Sequence, residues 1–349
     1  MDQQIVHAAF LIAFTAQAQT FQLPTANHAL FETGGEERFF VGTAGKTWTT
    51  GTFGCMRTGG WQLHEGLDIR CLQRDQRGEP TDPVLATADG TVAYISMRPS
   101  LSNYGNYLVL LHHVEGMEIY SLYAHLREVR HDLKVGQAVK AGEPVAVMGR
   151  TANTRETISK DRAHVHFELN LFLNDRFATW HKQADPGQRN DHGEWNGQNL
   201  LGIDPRLVLL GQHEQGAKFS LLSFLQNQTE LCRVIARKAE FPWVKRYAAL
   251  VRPNPRAERE GIAAYEIALN FNGVAFELIP RAASEIKGKA KFQLVSVNEP
   301  EYHKNPARRL VGQKGKRWEL TSHGLNLLEL LTFQAAAFPG GQARPHRLW

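Results

Sequence analysis

Between residues 50 and 170 the chain is cut into short β-rich runs by turn formers, and helical periodicity is almost absent. That pattern constrains the fold more than any other feature. The runs are Val84 to Ala86, Thr91 to Ser96, Tyr107 to His112, Ile119 to Ala124 and Pro144 to Met148. Ala88-Asp89-Gly90 and Asn103-Tyr104-Gly105-Asn106 punctuate them. Short strands at this spacing predict a compact antiparallel β fold. Phe21 to Gly54, with Arg38-Phe39-Phe40-Val41-Gly42 and Thr47-Trp48-Thr49-Thr50-Gly51, reads as strands and loops leading into that sheet. Gly90, Gly105, Gly136 and Gly142 read as turns, and no phosphate-binding GxxxxGK[ST] pattern is present.

Chemistry concentrates in two stretches. Trp61 to Arg70, WQLHEGLDIR, sets the imidazole of His64 and the carboxylate of Asp68 on either side of Gly66. Both groups are ordinary zinc ligands, and a catalytic zinc site takes three protein ligands and keeps one position open. Gly66 disfavours a helix and lets the backbone bend so that the two groups converge. The third ligand is expected from Ala163 to Leu169, AHVHFEL, an apolar and aromatic run that reads as a strand. On a strand His164 and His166 point to one face, so one can hold a metal while the other meets substrate. Glu168 shares that face and could orient a ligand. Glu65 lacks the second histidine that an HExxH site requires, and His112 and His113 read as a structural pair at a strand end.

These segments resemble, in order and over about half the chain, the lysostaphin/LytM-type zinc metalloendopeptidases. The carrying motifs are GTFG at 51 to 54, HEGLDI at 64 to 69, ADGTVAYI at 88 to 95, NYGNYLVLLHH at 103 to 113, LYAHL at 122 to 126, VGQAVKAGEPVAVMG at 135 to 149, HVHFEL at 164 to 169 and IDPRLVL at 203 to 209. The resemblance implies the duplicated hybrid motif fold, a mainly β catalytic domain built as an antiparallel sheet or sandwich. It also implies one zinc ion held by His64, Asp68 and His166, with His125 and His164 as unligated catalytic histidines. The implied activity is hydrolysis of peptide bonds in bacterial peptidoglycan cross-links by a zinc-activated water, with peptidoglycan peptides as partners. Two neutral imidazoles and one carboxylate leave the centre with a formal charge of +1, which acidifies a bound water. His164 suits the base and His125 a donor to the tetrahedral oxyanion; the two can also act as a coupled pair. The alternative function is a non-catalytic cell-wall-binding or hydrolase-regulating module of the same fold.

Two stretches depart from the family pattern. RTANTRETISKDRA at 150 to 163 replaces a short glycine-bearing turn and remodels the rim beside the histidines. Asn174 to Asn199 is a polar insert, read either as a solvated loop or as a wall of the substrate groove whose tryptophans, Trp180 and Trp195, stack on sugar or peptide.

Beyond Gly211 the resemblance stops. Phe219 to Lys238 reads as one amphipathic helix, Lys291 to Val297 as a strand and Leu325 to Leu331 as a helix. Tyr265 to Ile279 reads as a hairpin turning at Asn272-Gly273, with Phe271 opposite Val274, Leu269 opposite Phe276 and Ile267 opposite Leu278. The expected division is therefore a signal-like segment at 1–18, a metallopeptidase domain at 19–212 with its core at about 50–210, a smaller α+β C-terminal domain at 213–333 and a loose tail at 334–349.

The 349 residues suit about two domains, and 42% hydrophobic with 21% charged residues is ordinary globular composition. A net charge of +5 favours anionic polymers such as cell-envelope material, but no dense Lys/Arg stripe accompanies it, so nucleic acid is not an expected partner. Ile5 to Phe14 followed by Ala16-Gln17-Ala18 resembles an h-region and cleavage site, although Asp2 stands where a basic n-region belongs; export to the periplasm or cell exterior is expected. No stretch reaches the length of about 20 apolar residues that spans a bilayer. Cys55 and Cys71 bracket the His64 stretch and could pair in an exported protein; three unpaired thiols, Cys232 included, are the alternative.

Overall fold

The computed structural model describes residues 21–57, 62–154, 158–305 and 310–334. The expected signal-like segment and all but the first residue of the expected tail lie outside them. Among the described residues, no helix is long and apolar enough to cross a membrane.

The first half is antiparallel β, as the runs require. Its strands are β1 (Met56–Arg57), β2 (Gln62–Leu63), β3 (Leu67–Arg70), β4 (Pro83–Leu85), β5 (Gly90–Ser96), β6 (Tyr107–Val114), β7 (Met117–Ala124), β8 (Glu128–Val129), β9 (Ala138–Val139), β10 (Pro144–Val147), β11 (His164–Phe172) and β12 (Leu200–Ile203). A seven-stranded sheet runs β12-β11-β7-β6-β5-β9, with β3 also on β11; β4, β10 and β8 form a second sheet. Strand β11 is the axis, buried at all nine positions. One edge pairs with β7; the other pairs first with β3, through Val165 opposite Ile69 and His166 opposite Asp68, and then with β12. Alternation splits β11 into an apolar face of Val165, Phe167, Leu169 and Leu171, which enters the main core, and a polar face of His164, His166, Glu168 and Asn170.

Gly66 is required here for close approach. A Cβ on it would stand 2.3 Å from the Phe167 carbonyl, so a side chain would push β3 off β11.

Phe21 to Gly54 departs from the expected strands. It holds helical turns at Ala29–Phe31 and Trp48–Gly51 and the short helix α1 (Glu36–Phe39), and it meets β3 through a bridge from Phe40 to Ile69 and a bond from Val41 N to Asp68 O. Phe39 and Phe40 are consecutive and both fully buried, which alternation on a one-sided strand does not allow. The insert carries α2 (Phe177–Ala184). After β12, Asp204 caps α3 (Pro205–Gln215) by accepting from Arg206 N, with Pro205 in the first turn.

The second half holds α4 (Leu221–Gln226), β13 (Cys232–Ala236), α5 (Pro242–Arg246), α6 (Pro255–Glu260), β14 (Ala264–Leu269), β15 (Ala275–Arg281), β16 (Phe292–Val297), α7 (Glu299–Lys304), β17 (Val311–Lys314), β18 (Arg317–Leu320) and α8 (Ser322–Leu331). The single helix expected over Phe219 to Lys238 is instead the six-residue α4 followed by β13. Cys232, Val234 and Ala236 are buried at period two, and β13 is paired on both edges by β14 and β16, so tertiary pairing overrides a weak helical pattern. The expected strand and the expected final helix are present as β16 and α8.

The hairpin is half as drawn. Ile267 faces Leu278, but a bulge at Ala268/Leu269 places Leu269 opposite Ala275 instead of Phe276. Asn270 remakes the turn. Its Oδ1 accepts from Asn272 N and Val274 N, which releases Phe271 to pack edge-on against Phe53 and leaves Asn272 Nδ2 to donate to Gly202 O in β12. Further buried bonds tie the halves: Tyr247 OH donates to Glu118 O and accepts from Phe172 N, and Asn174 Nδ2 donates to Leu330 O and Phe333 O. The three cysteines are free thiols, with Cys71 and Cys232 buried.

Candidate metal centre

The register of β11 brings together side chains that stand far apart in sequence. His64 follows β2 directly, Asp68 lies in β3, and His166 sits opposite Asp68 in β11. Their atoms His64 Nε2, Asp68 Oδ1 and His166 Nδ1 form a triangle with all three sides at 3.0 Å. All three residues are buried, and they could hold a metal ion.

Partners on the far side of each ring fix which atoms face inward. His64 Nδ1 lies 2.8 Å from the Thr52 carbonyl, which can only accept, so Nδ1 carries the proton and Nε2 turns a lone pair inward. His166 Nε2 lies 2.7 Å from Glu168 Oε1, so the proton sits there and Nδ1 turns inward. Asp68 Oδ2 is taken by Arg57 Nη2 at 2.5 Å, which leaves Oδ1 for the histidines. Three lone pairs at 3.0 Å repel one another unless a proton or cation lies among them. Zinc bonds of about 2.0–2.2 Å in tetrahedral geometry place ligand atoms roughly 3.4 Å apart, a few tenths wider than this triangle, so the donor set fits such an ion.

Electrostatics point the same way. Burial works against a charged His166, yet its bonds to Asp68 and Glu168 overcome that and raise its pKa to about 9. A field that favours a proton at Nδ1 favours any cation there. Burial also opposes ionisation of Asp68, but His64, His164 and Arg57 hold it well below the usual carboxylate range. Glu168, itself fully buried, accepts from His166 Nε2 and from Asn170 Nδ2, and Tyr104 hydrogen-bonds to it as well. The carboxylate expected from sequence as a possible orienting group thus touches the His166 ring.

His125 and His164 line the same groove, their rings 4.9 Å apart and edge to face. Both point Nδ1 at a backbone carbonyl, His125 at Thr151 O (2.9 Å) and His164 at Arg162 O (2.6 Å), which leaves each Nε2 as an acceptor. Burial lowers the pKa of both, and for His125 the neighbouring His164 and His166 lower it further. Both rings are therefore neutral at neutral pH. His164 Nε2 stands 3.4 Å from Asp68 Oδ1. His125 holds a left-handed backbone, φ 61°, between the end of β7 and Leu126, and so turns its ring toward the histidines of β11.

The groove, about 1080 Å³, is walled on one side by Gln188 to His192 and Asn196 to Gln198 of the insert. The tryptophans do not form its stacking surface: Trp180 is buried against Phe177, and Trp195 packs on Tyr94, Tyr120 and Phe172 beneath the polar face of β11. His112 is structural, fully buried between Asp89 O and Ser121 Oγ.

Sequence reasoning missed Arg57 and Tyr104. Tyr104 stood inside a recognised motif, NYGN, but reads there as a turn residue. Arg57 belongs to no motif and reaches Asp68 from β1, its guanidinium also donating to Thr50 O.

The sequence model of Peptidase family M23 matches residues 62–177. Among named relatives, a Lipoprotein NlpD/LppB homolog of Pseudomonas aeruginosa is 34% identical over 108 residues, covering 31% of this chain and 29% of that protein. An uncharacterized metalloprotease of Haemophilus influenzae is 32% identical over 114 residues, covering 33% of this chain and 20% of its own length. The chain thus spans less than a third of these relatives. Similar solved structures include a zinc containing peptidase from Vibrio cholerae (23% identity, TM-score 0.28, 44% of this chain and 37% of that one). Another is the catalytic domain of lysostaphin from Staphylococcus simulans (23% identity, TM-score 0.25, 34% of this chain and 76% of that one).

Proposed function

Since residues 62–177 carry a Peptidase family M23 domain, we propose that the protein is a zinc-dependent endopeptidase that hydrolyses peptide bonds in bacterial peptidoglycan cross-links, exported to the cell envelope. The observation that carries this reading is the triangle of inward lone pairs at His64 Nε2, Asp68 Oδ1 and His166 Nδ1, each fixed from behind by a hydrogen-bond partner. These three atoms would hold the zinc. When bound, the ion supplies Lewis-acid activation of a water and of the scissile carbonyl.

The chain's own residues account for the remaining chemistry. His164 is neutral, anchored at Nδ1, and offers Nε2 beside Asp68, so it takes the proton of the attacking water. His125 offers Nε2 from the opposite side. Once protonated at Nε2, a ring becomes a donor suited to the tetrahedral oxyanion or to the departing amine. Arg57 and Glu168 orient the ligands, and Tyr104 restrains Glu168. The insert walls the groove and limits how a peptide chain lies across the centre.

The lipoprotein name of one relative agrees with an envelope location. A non-catalytic binding module needs none of the two unligated histidines, yet all five groups converge on one groove here. The test is elemental analysis of the purified protein together with digestion of defined muropeptides. One zinc per chain and release of new amino termini are expected. A protein that stays intact and zinc-loaded but cleaves no cross-link sinks the proposal and favours the binding module.

A further inference from the structure

A second cleft lies beside the groove. It measures about 280 Å³ and shares Leu63, Glu65, Gly197 and Gln198 with the groove that contains the triangle, so the two spaces adjoin. Leu63 and Glu65 are the chain neighbours of His64, which puts the cleft mouth beside a proposed ligand. Its far wall comes from α8, in the part of the chain that the family match does not reach.

The position of that wall is fixed. Asn174, fully buried at the start of the insert, donates to Leu330 O, and Gly273 packs without a Cβ against Leu327. Thr321 caps the helix by accepting from Gly324 N. At the mouth the insert comes close to the Glu65 carboxylate: a Cβ on Gly197 would stand 2.8 Å from Glu65 Oε2 and 3.0 Å from Tyr104 OH.

The lining has two characters. Leu63, Trp180, Leu327 and Leu330 give an apolar wall, Asp185 places a carboxylate at its border, and Glu65, Gln198, His323 and Asn326 are the other polar side chains of the lining; no Lys or Arg is among the described lining residues. An aliphatic stem ending in a cation matches both, since such side chains bury methylenes and keep the ammonium on polar or anionic groups. We propose that this cleft is a subsite for an alkylammonium side chain of the peptide substrate, built jointly by the insert and α8. The inference rests on the endopeptidase reading for its substrate but not for its test. It gives the C-terminal region a part in substrate choice.

The test is equilibrium binding. Zinc-loaded His125→Ala protein is titrated into a fluorescein-labelled Gly-Ala-Lys-Ala-Gly peptide and its Nε-acetyl-lysine counterpart, read by anisotropy. Acetylation removes the charge and keeps the stem. The lysine peptide is expected to bind about tenfold more tightly, which is about 1.4 kcal/mol. Asp185→Asn, and separately Asn326→Trp, which fills the cleft from an exposed helix position, are each expected to bring that ratio toward one. A reduced ratio in either variant supports the subsite. Equal affinities, no binding of either peptide, or a ratio that neither substitution moves overturns it. Wild-type turnover is scored separately, so unequal binding without hydrolysis rejects the peptidase reading and retains the subsite.

Discussion

Two faces of this molecule carry clustered charge, and they are built on opposite principles. On the four-stranded sheet of the second half, Arg233 donates to Glu230, Glu266 and Glu277, and Arg281 donates to Glu266. Every acceptor there meets a donor, the side chains keep contact with solvent, and the cluster satisfies itself. Around the polar face of β11, acceptors of His64, His125 and His164 are buried and face the same groove, with their donors turned outward to Thr52, Thr151 and Arg162. A self-satisfied cluster needs nothing further. A cluster of converging acceptors is incomplete without a cation, and that separates a functional site from a solvated face.

The sharpest way to break this contrast is to remove one vertex of the triangle. His166→Ala is expected to abolish both zinc content and turnover, measured by elemental analysis and muropeptide digestion. His125→Ala is expected to keep the zinc and lose about 10²- to 10⁴-fold in turnover; a zinc-free or a fully active variant would contradict its role as an unligated catalytic group. Glu168→Gln keeps the shape but weakens the acceptor behind His166, and zinc affinity should fall about 10- to 100-fold by competition with a chelator. The pH profile comes next. The proposed base His164 must be a neutral ring, and burial lowers its pKa from the usual 6.5. Protonation therefore removes activity only as pH falls below 6.5, by about tenfold per unit once past its pKa. An acid limb centred above 6.5 would exclude His164 as the base. Arg233→Ala should show the smallest effect, a loss of about 1–2 kcal/mol by denaturant unfolding, with zinc content and turnover unchanged.

How much of this was legible in sequence depended on how locally each feature was specified. The strands of residues 84 to 148 and the shared face of His164 and His166 follow from period-two patterning, and the structure has them. Gly66 was marked in the sequence for a local bend, and the structure adds a constraint that no local pattern carries, its close approach to the Phe167 carbonyl of β11. Phe219 to Lys238 misled because its apolar spacing suited a helix while pairing on both edges of β13 decided otherwise. The hairpin register failed at Leu269 because Asn270 makes a side-chain turn that no dipeptide rule anticipates. Arg57 left no trace, because it belongs to no motif and its partner stands in another strand.

The cross-strand pairing of Asp68 with His166 has one more consequence. The two are 98 positions apart, so the donor set cannot exist in any fragment that ends before β11 docks. A nascent or misregistered chain holds scattered histidines with no shared focus, whereas the closed sheet presents them together. Metal capture would thus lag behind closure of the longest loop in the sheet, a slow and entropically costly event, and an ion-dependent fluorescence or absorbance signal would time the completion of folding rather than its start.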